Sequence, residues 1–200
     1  MNLPTPRRQK LIFNQDATPD LNYVKKLVPF SLDRDWLLWG RQKEDKDRMI
    51  PYSVTWLYSD EQTKIQYVED YIAGFPYLIV DGQEVEAASE VIKSHFDIYS
   101  PAEIVQQAQT ARTEKEQIDA IFRLALIAPQ EFDSKFFELF QIGLNHPSPK
   151  VRAKALKACA YTEWREFIPH VDKIINQDSD KMVRNKAEII LKAYESQGVS

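Results

Sequence analysis

Apolar residues recur at helical spacing throughout the second half of the chain. Val151, Ala155 and Ala158 follow one another at i, i+4 and i+7, which predicts a helix with a narrow stripe of small side chains. Segments with larger apolar side chains precede and follow this stripe. They are Phe132, Phe136, Leu139, Phe140 and Leu144 before it, and Trp164, Phe167, Ile168, Val171, Ile174 and Ile175 after it. The pattern predicts helical hairpins in which a bulky helix faces a slender one.

A similar phrase occurs twice in this half. HPSPKVRAKALKACA, residues 146–160, and DSDKMVRNKAEIILKA, residues 178–193, align with an offset of 32 positions, so that Val151 meets Val183. Each copy opens with residues that start helices. These are Ser148 and Pro149 in the first copy, and Ser179 or Asp180 in the second. A weaker third copy appears when Ile118 is aligned with Val151. The period is typical of a stacked helical hairpin.

The two copies resemble a HEAT repeat, in which a short loop leads to Val-Arg at the start of the second helix. Pro169 matches the proline that often kinks the first helix of that repeat, and Asp178 matches an aspartate that often precedes Val-Arg. His146 replaces that aspartate in the first copy, so the Asp-to-Arg bond that the resemblance implies is not expected at Arg152. The resemblance covers about residues 100–197. HEAT-like stacks serve as adaptors, as chaperone-like lyases for bilin attachment and occasionally as DNA-base glycosylases.

The first half of the chain has a different periodicity. Residues 52–58, YSVTWLY, and 76–80, PYLIV, are rich in β-branched and aromatic residues and predict strands. A helix is predicted between them because four apolar residues share one helical face, ahead of Gly74 at its end. They are Ile65, Val68, Tyr71 and Ile72. A second helix is predicted after Gly82, with Val85, Ala88, Val91, Ile92 and Phe96 on its apolar face.

This β-α-β-α order suggests a small α/β unit. Residues 74–92 are faintly similar to the proline-containing strand and following helix of thioredoxin-fold proteins such as glutathione transferases. Two alternatives stay open: an irregular helical lead-in that closes one end of the repeats, or a first half that is also dominated by helices.

Taken together, these patterns predict a mainly α fold. A short HEAT-like α/α solenoid of about three helical hairpins is expected over residues 99–200, and a small α+β or irregular N-terminal segment over residues 20–98. Residues 1–19 contain three prolines and little periodicity, so we expect an arm over the surface or a disordered tail.

Composition and charge argue against several classes of protein. The net charge is −4, and the excess of ten Lys/Arg over seven Asp/Glu in residues 145–200 is too small to indicate DNA binding. No apolar run is long enough for a signal peptide or a membrane span. Cys159 is the only cysteine, so no intrachain disulfide can form and a cytoplasmic location is expected.

No pattern indicates catalysis, a cofactor or a metal. The five glycines stand singly, without a phosphate-binding or dinucleotide fingerprint, and no Ser or Cys lies in a nucleophile motif. His95, His146 and His170 lie in different predicted elements, which argues against a metal site. We therefore expect no catalytic residue, no cofactor and no metal ligand.

One candidate binding site is a row of lysines. Lys150, Lys154 and Lys157 recur at i, i+4 and i+7 and form a basic ridge on one side of their helix. One interpretation is an ordinary solvated helix face. The other is a contact for an acidic partner protein, with Trp164 or Trp56 as an aromatic anchor.

The expected function is that of a non-enzymatic protein–protein interaction module, such as an adaptor, an assembly factor or an immunity-type binder. It would present a rigid helical-repeat surface to its partner. The alternatives are a bilin lyase or chaperone subunit, a DNA-glycosylase-like enzyme, or a purely structural subunit of a larger complex. Neither a membrane nor a nucleic acid is expected as a partner, and the oligomeric state is left open.

Overall fold

The computed structural model of the protein describes residues 8–14, 23–196 and 198. The chain divides into two compact units, Met1–Ser100 and Pro101–Ser200. We call them the sheet unit and the helical unit and describe each by itself.

The sheet unit is built on a five-stranded antiparallel sheet. Its strands are β1 (Arg8–Ile12), β2 (Leu37–Gln42), β3 (Tyr52–Leu57), β4 (Lys64–Asp70) and β5 (Phe75–Asp81). Their order across the sheet is β1-β5-β4-β3-β2, which makes β1 and β2 the two edges. Helix α1 (Tyr23–Leu32) precedes β2, and helix α2 (Val85–Lys93) follows β5.

Side-chain alternation along the inner strands creates the core of this unit. Ile65 and Tyr67 of β4 are buried on one face, opposite Val80 and Leu78 of β5. Buried residues of the two helices and of the segment after β1 join the same cluster. They are Tyr23, Leu27 and Phe30 from α1, Val85, Ala88 and Ile92 from α2, and Phe13. The helices therefore cover one face of the sheet.

A network around Thr63 fixes the turn between β3 and β4. Asp60 accepts hydrogen bonds from the backbone nitrogen of Thr63 at 2.8 Å, from its Oγ1 at 2.7 Å and from the nitrogen of Gln62 at 3.0 Å. Thr63 Oγ1 in turn accepts a hydrogen bond from the nitrogen of Glu84 at 2.9 Å, next to the start of α2. Gly82 lies against this turn with φ +146°, a conformation that is essentially restricted to glycine.

The prediction of a helix between residues 52–58 and 76–80 is wrong, because Lys64–Asp70 forms strand β4. Ile65, Val68 and Ile72 fit helical spacing, but buried Ile65 and Tyr67 also fit the strand period of two, and cross-strand pairing decides between the two periods. The β-α-β-α order and the thioredoxin-like interpretation of residues 74–92 fail with it, since all strand pairs of the sheet are antiparallel.

The predicted fold class is also wrong. The chain is α+β, not a mainly α solenoid with a small or irregular N-terminal segment, because the first unit has a full sheet and a core of its own. Arg8–Ile12, predicted as part of an arm or tail, forms edge strand β1, with Leu11 and Ile12 buried. Residues 1–7 and 15–19 of that predicted arm lie outside the described residues.

The helical unit contains consecutive helix pairs. Its helices are α3 (Pro101–Thr110), α4 (Glu114–Ile127), α5 (Ser134–Leu144), α6 (Pro149–Cys159), α7 (Ile168–Gln177) and α8 (Lys181–Ser196). A 3₁₀ turn, Arg165–Phe167, precedes α7. Within the pairs α3 lies against α4, α5 against α6 and α7 against α8, while α6 also contacts α4 and α8. Helix α6 is therefore the central helix of the unit.

Small side chains allow α6 to occupy this central place. Ala155 and Ala158 are fully buried, and a side chain at Gly143 of α5 would come within 3.0 Å of the Ala155 Cβ. Cys159, at the end of α6, is also fully buried, and its carbonyl oxygen accepts a hydrogen bond from the Tyr194 hydroxyl of α8 at 2.9 Å. The narrow side of α6 thus lets its neighbours approach closely.

Side chains cap several of these helices. Thr113 and Glu116 form a capping box at the start of α4, and Asp180 accepts hydrogen bonds from the nitrogens of Met182 and Val183 at the start of α8. Ser148 precedes α6 as predicted, but its side chain makes no capping hydrogen bond.

Candidate protein-interaction site

The lysine ridge, Lys150, Lys154 and Lys157, runs along the outside of α6. Lys150 is exposed and the other two are half-buried. Helix α6 has no acidic residue, and none of the three lysines forms a salt bridge within the part of the chain that the structure describes. The ridge therefore presents positive charge that no carboxylate of the described residues neutralises.

Lys186 of α8 belongs to the same positive surface. The pKa of Lys157 is lowered because its partial burial disfavours the charged ammonium, and because the charges of Lys186 and Lys154 repel a further positive charge. Lys186 occupies the same place in the second sequence phrase as Lys154 in the first, 32 positions earlier. The repeat offset could have identified it from the sequence alone.

Two exposed apolar side chains flank Lys186 on α8. Met182 is 51% exposed and Ile189 is 56% exposed. With Lys186 they recur at i, i+4 and i+7, so that the three residues share one side of the helix. The same offset of 32 aligns them with the lysine ridge. Neighbouring helices therefore present a basic row and a mixed apolar and basic row, and we call these six residues the docking surface.

The tryptophans considered as anchors are not exposed. Trp164 is 3% exposed, stacks on Phe167 with 5.9 Å between ring centroids and donates a hydrogen bond to the Gln130 carbonyl oxygen at 3.2 Å. Trp56 is 2% exposed and lies in the core of the sheet unit. Burial prevents either ring from inserting into a partner, and Met182 and Ile189 are the exposed apolar groups beside the lysines.

A largely buried ion pair fixes the start of α6 to the loop before α8. The guanidinium of Arg152 donates to both carboxylate oxygens of Asp178, at 2.7 and 2.8 Å, and the two side chains are only 12% and 6% exposed. Arg152 also donates to the carbonyl oxygens of His146 and Pro147. This bond holds the two helices of the docking surface in a fixed relation.

His146 does not deprive Arg152 of an aspartate partner, although the sequence suggested that it would. The partner is Asp178, which lies in the following loop. His146 accepts a hydrogen bond through Nδ1 from the nitrogen of Ser148 at 3.0 Å, and this bond shapes the loop before α6. The Arg152 guanidinium holds the pKa of Asp178 below its usual range.

The histidines are only partly brought together. His146 and His170 line one groove of the helical unit together with Arg152 and Lys173, whereas His95 belongs to the sheet unit. Within residues 8–14, 23–196 and 198, no group of three His, Cys, Asp or Glu side chains is placed to hold a metal ion.

Comparison with known proteins gives no relative: no family model, no curated protein and no solved structure matches this chain. Among the described residues, no helix has both the length and the apolar character needed to cross a membrane.

Proposed function

We propose that this protein is a non-enzymatic binding module whose docking surface captures an acidic, amphipathic segment of a partner protein. The observation that supports this most directly is the lysine ridge, unpaired among the described residues, beside the exposed Met182 and Ile189. A partner with carboxylates on one side and an apolar side chain on the other matches both properties. The role is that of an adaptor, an assembly factor or an immunity-type binder.

Charge and apolar contact contribute differently to such binding. Exposed lysines attract acidic partners over distance and raise the association rate, but each surface ion pair adds at most about 1 kcal/mol. Full burial of an apolar side chain the size of Met182 or Ile189 contributes about 1.5 to 3 kcal/mol. We therefore assign partner attraction to the lysines and most of the affinity to the two apolar residues.

The helical unit supplies a rigid support for this surface. Helix α6 is packed on three sides by other helices, and the Arg152–Asp178 pair ties its start to the loop before α8. A surface whose side chains are already positioned loses little conformational entropy on binding. The proposal places the protein in the cytoplasm, where the single Cys159 thiol stays reduced.

A pair of synthetic peptides tests the two contributions separately. We expect a short polyglutamate peptide to bind weakly, and the same peptide with leucine at every fourth position to bind about tenfold more tightly. The triple substitution Lys150→Glu, Lys154→Glu and Lys157→Glu should abolish binding of both peptides. Met182→Ser with Ile189→Ser, which adds no charge to the surface, should remove only the advantage of the leucine peptide. Fluorescence anisotropy at two salt concentrations measures all of these affinities.

A matched control carries the same charge change at other exposed lysines of the helical unit. Lys135→Glu, Lys173→Glu and Lys192→Glu should leave binding of the leucine peptide within about twofold of the unsubstituted protein. Melting temperatures of all variants should agree within about 3 °C, because the changed side chains are not in the core. Equal binding by the ridge variant and the unsubstituted protein would identify the ridge as an ordinary solvated helix face.

The natural partner can then be identified by affinity capture from extracts of the source organism. We expect a protein with an acidic segment to be captured by the unsubstituted chain and by the control variant, but not by the ridge variant. Quantitative mass spectrometry of the three eluates makes the comparison. Identical eluates from all three would contradict the proposed site.

A further inference from the structure

The two edge strands of the sheet are protected very differently. Edge strand β1 carries Arg8 and Lys10, and its apolar residues Leu11 and Ile12 are buried. Charged side chains on an edge strand discourage pairing with another chain. Edge strand β2 has no charged residue in its first four positions, Leu37–Gly40, so the same protection is missing there.

The unprotected part of β2 is apolar, and its three large side chains are exposed. Leu37, Leu38 and Trp39 are 52%, 54% and 65% exposed. The register with β3 shifts between Leu38 and Gly40, so Trp39 has no direct partner across the strand pair. This bulge interrupts the regular alternation of the strand, and Leu37, Leu38 and Trp39 together leave an exposed apolar surface at the edge. Such an edge is suited to adding another strand.

Charges of opposite sign flank this apolar segment. Asp33 and Asp35 precede it, and Arg41 and Lys43 lie at its far end. All four are exposed, and none takes part in a salt bridge among the residues that the structure describes. Arg34 lies between the two aspartates but stacks over the Phe30 ring, and Glu44 and Asp45, which follow Lys43, pair with Lys46 and Arg48. Apart from Arg34, the charges without a salt bridge are therefore acidic before the apolar segment and basic after it.

We propose that β2 is a homodimerisation edge, on which a second copy of this chain adds its own β2 in antiparallel orientation. Antiparallel pairing of two identical strands is twofold symmetric, so each patch must complement itself. The twofold axis then passes through the apolar segment Leu37–Gly40, and the aspartates that precede each strand lie near the basic end of the other. Acidic residues before the apolar segment and basic residues after it make the edge complementary to a second copy of itself. This proposal does not depend on the docking surface.

Sedimentation equilibrium over a wide range of protein concentrations tests this dimer. We expect the mass of the unsubstituted protein to rise from that of one chain, 23.3 kDa, toward that of two. Leu38→Lys should abolish this rise, because it places a charge in the middle of the apolar segment. Ile142→Lys, at an equally exposed apolar residue of α5, should leave the association unchanged.

Charge variants test the antiparallel arrangement itself. Asp33→Lys with Asp35→Asn makes the edge positive at both ends, and Arg41→Asp with Lys43→Asp makes it negative at both ends. Each variant alone should dimerise at least about tenfold more weakly than the unsubstituted chain, and an equimolar mixture should recover a mixed dimer. Asparagine is chosen at position 35 because Asp35 has φ +54°, which asparagine tolerates.

Three results would overturn the proposal. A protein that stays monomeric at all concentrations has no such dimer, and an extended peptide would then be the occupant to consider. A dimer that persists in Leu38→Lys uses another surface. Failure of the two charge variants to recover association when mixed would exclude antiparallel pairing, provided that circular dichroism shows both to be folded.

Discussion

Replacing Asp178 by alanine is expected to lower the free energy of unfolding of the helical unit by about 3 kcal/mol. The substitution removes a carboxylate that accepts two hydrogen bonds from Arg152 and a third from the backbone nitrogen of Asp180 at 2.8 Å. The Arg152 side chain is only 12% exposed, so its charge is left largely buried without a counter-ion. Urea unfolding followed by circular dichroism measures the loss.

An exposed ion pair supplies the control for this prediction. Lys115 and Asp119 are also 2.7 Å apart, but the lysine is 87% exposed. Asp119→Ala should therefore cost less than about 1 kcal/mol. Equal losses in the two variants would show that burial of the Arg152 pair adds nothing to its stabilisation.

The effect of Asp178→Ala should depend on pH. Hydrogen bonding from Arg152 lowers the pKa of Asp178 in the folded protein below its ordinary value of 3.8. The stabilisation is therefore fully present above that ordinary value and is lost as the pH falls through the lower pKa of the folded state. The difference between the two proteins should be constant near neutral pH and should shrink in acid below about pH 4.

Replacing Gly82 by alanine is expected to destabilise the sheet unit by about 3 to 4 kcal/mol. Two independent costs add at this position. The backbone has φ +146°, which an L-residue rarely adopts, and the new Cβ would lie 2.5 Å from the Thr63 Cα and 2.8 Å from the Gln62 carbonyl oxygen. Both obstacles are backbone atoms of the β3–β4 turn, so no side-chain rotation relieves the clash. The thermal unfolding transition of the sheet unit gives the measurement.

Substitutions at two other glycines measure the backbone cost and the steric cost separately. Gly74 has φ +86° with open space at its Cβ position, so Gly74→Ala should lose only about 1 kcal/mol, from the backbone alone. Gly40 has neither a positive φ nor a close neighbour, so Gly40→Ala should change stability by less than about 1 kcal/mol. If Gly82→Ala cost no more than Gly74→Ala, the turn would be able to move aside.

The sequence was a good guide where apolar spacing has a single interpretation. The start of α6 at Pro149, the cap of α8 at Asp180 and the strand at 52–57 follow from local signals. Strand β4 was missed because Ile65, Val68 and Ile72 fit a helix as well as a strand, and only its pairing with β3 and β5 selects the strand. Strand β1 was missed because five residues among prolines give no local period, and pairing with β5 orders them.

The candidate site divides in the same way. The lysine ridge could be read from the spacing on one helix, and Lys186 could have been found from the repeat offset. The burial of Trp164 could not be predicted in this way. An amphipathic pattern does not show whether a tryptophan lies at the centre or at the margin of its apolar face. The Arg152–Asp178 ion pair joins residues 26 positions apart, and a bond between the start of one helix and a distant loop leaves no mark on local periodicity.

The single cysteine provides a natural reporter of motion in the helical unit. Cys159 is fully buried, and burial raises the pKa of its thiol well above the ordinary value. Since the thiolate is the reactive form, a maleimide reagent can modify this residue only while α6 is transiently separated from its neighbours. The labelling rate of the unmodified protein therefore measures how often the unit opens, and it should rise in Asp178→Ala without any introduced probe.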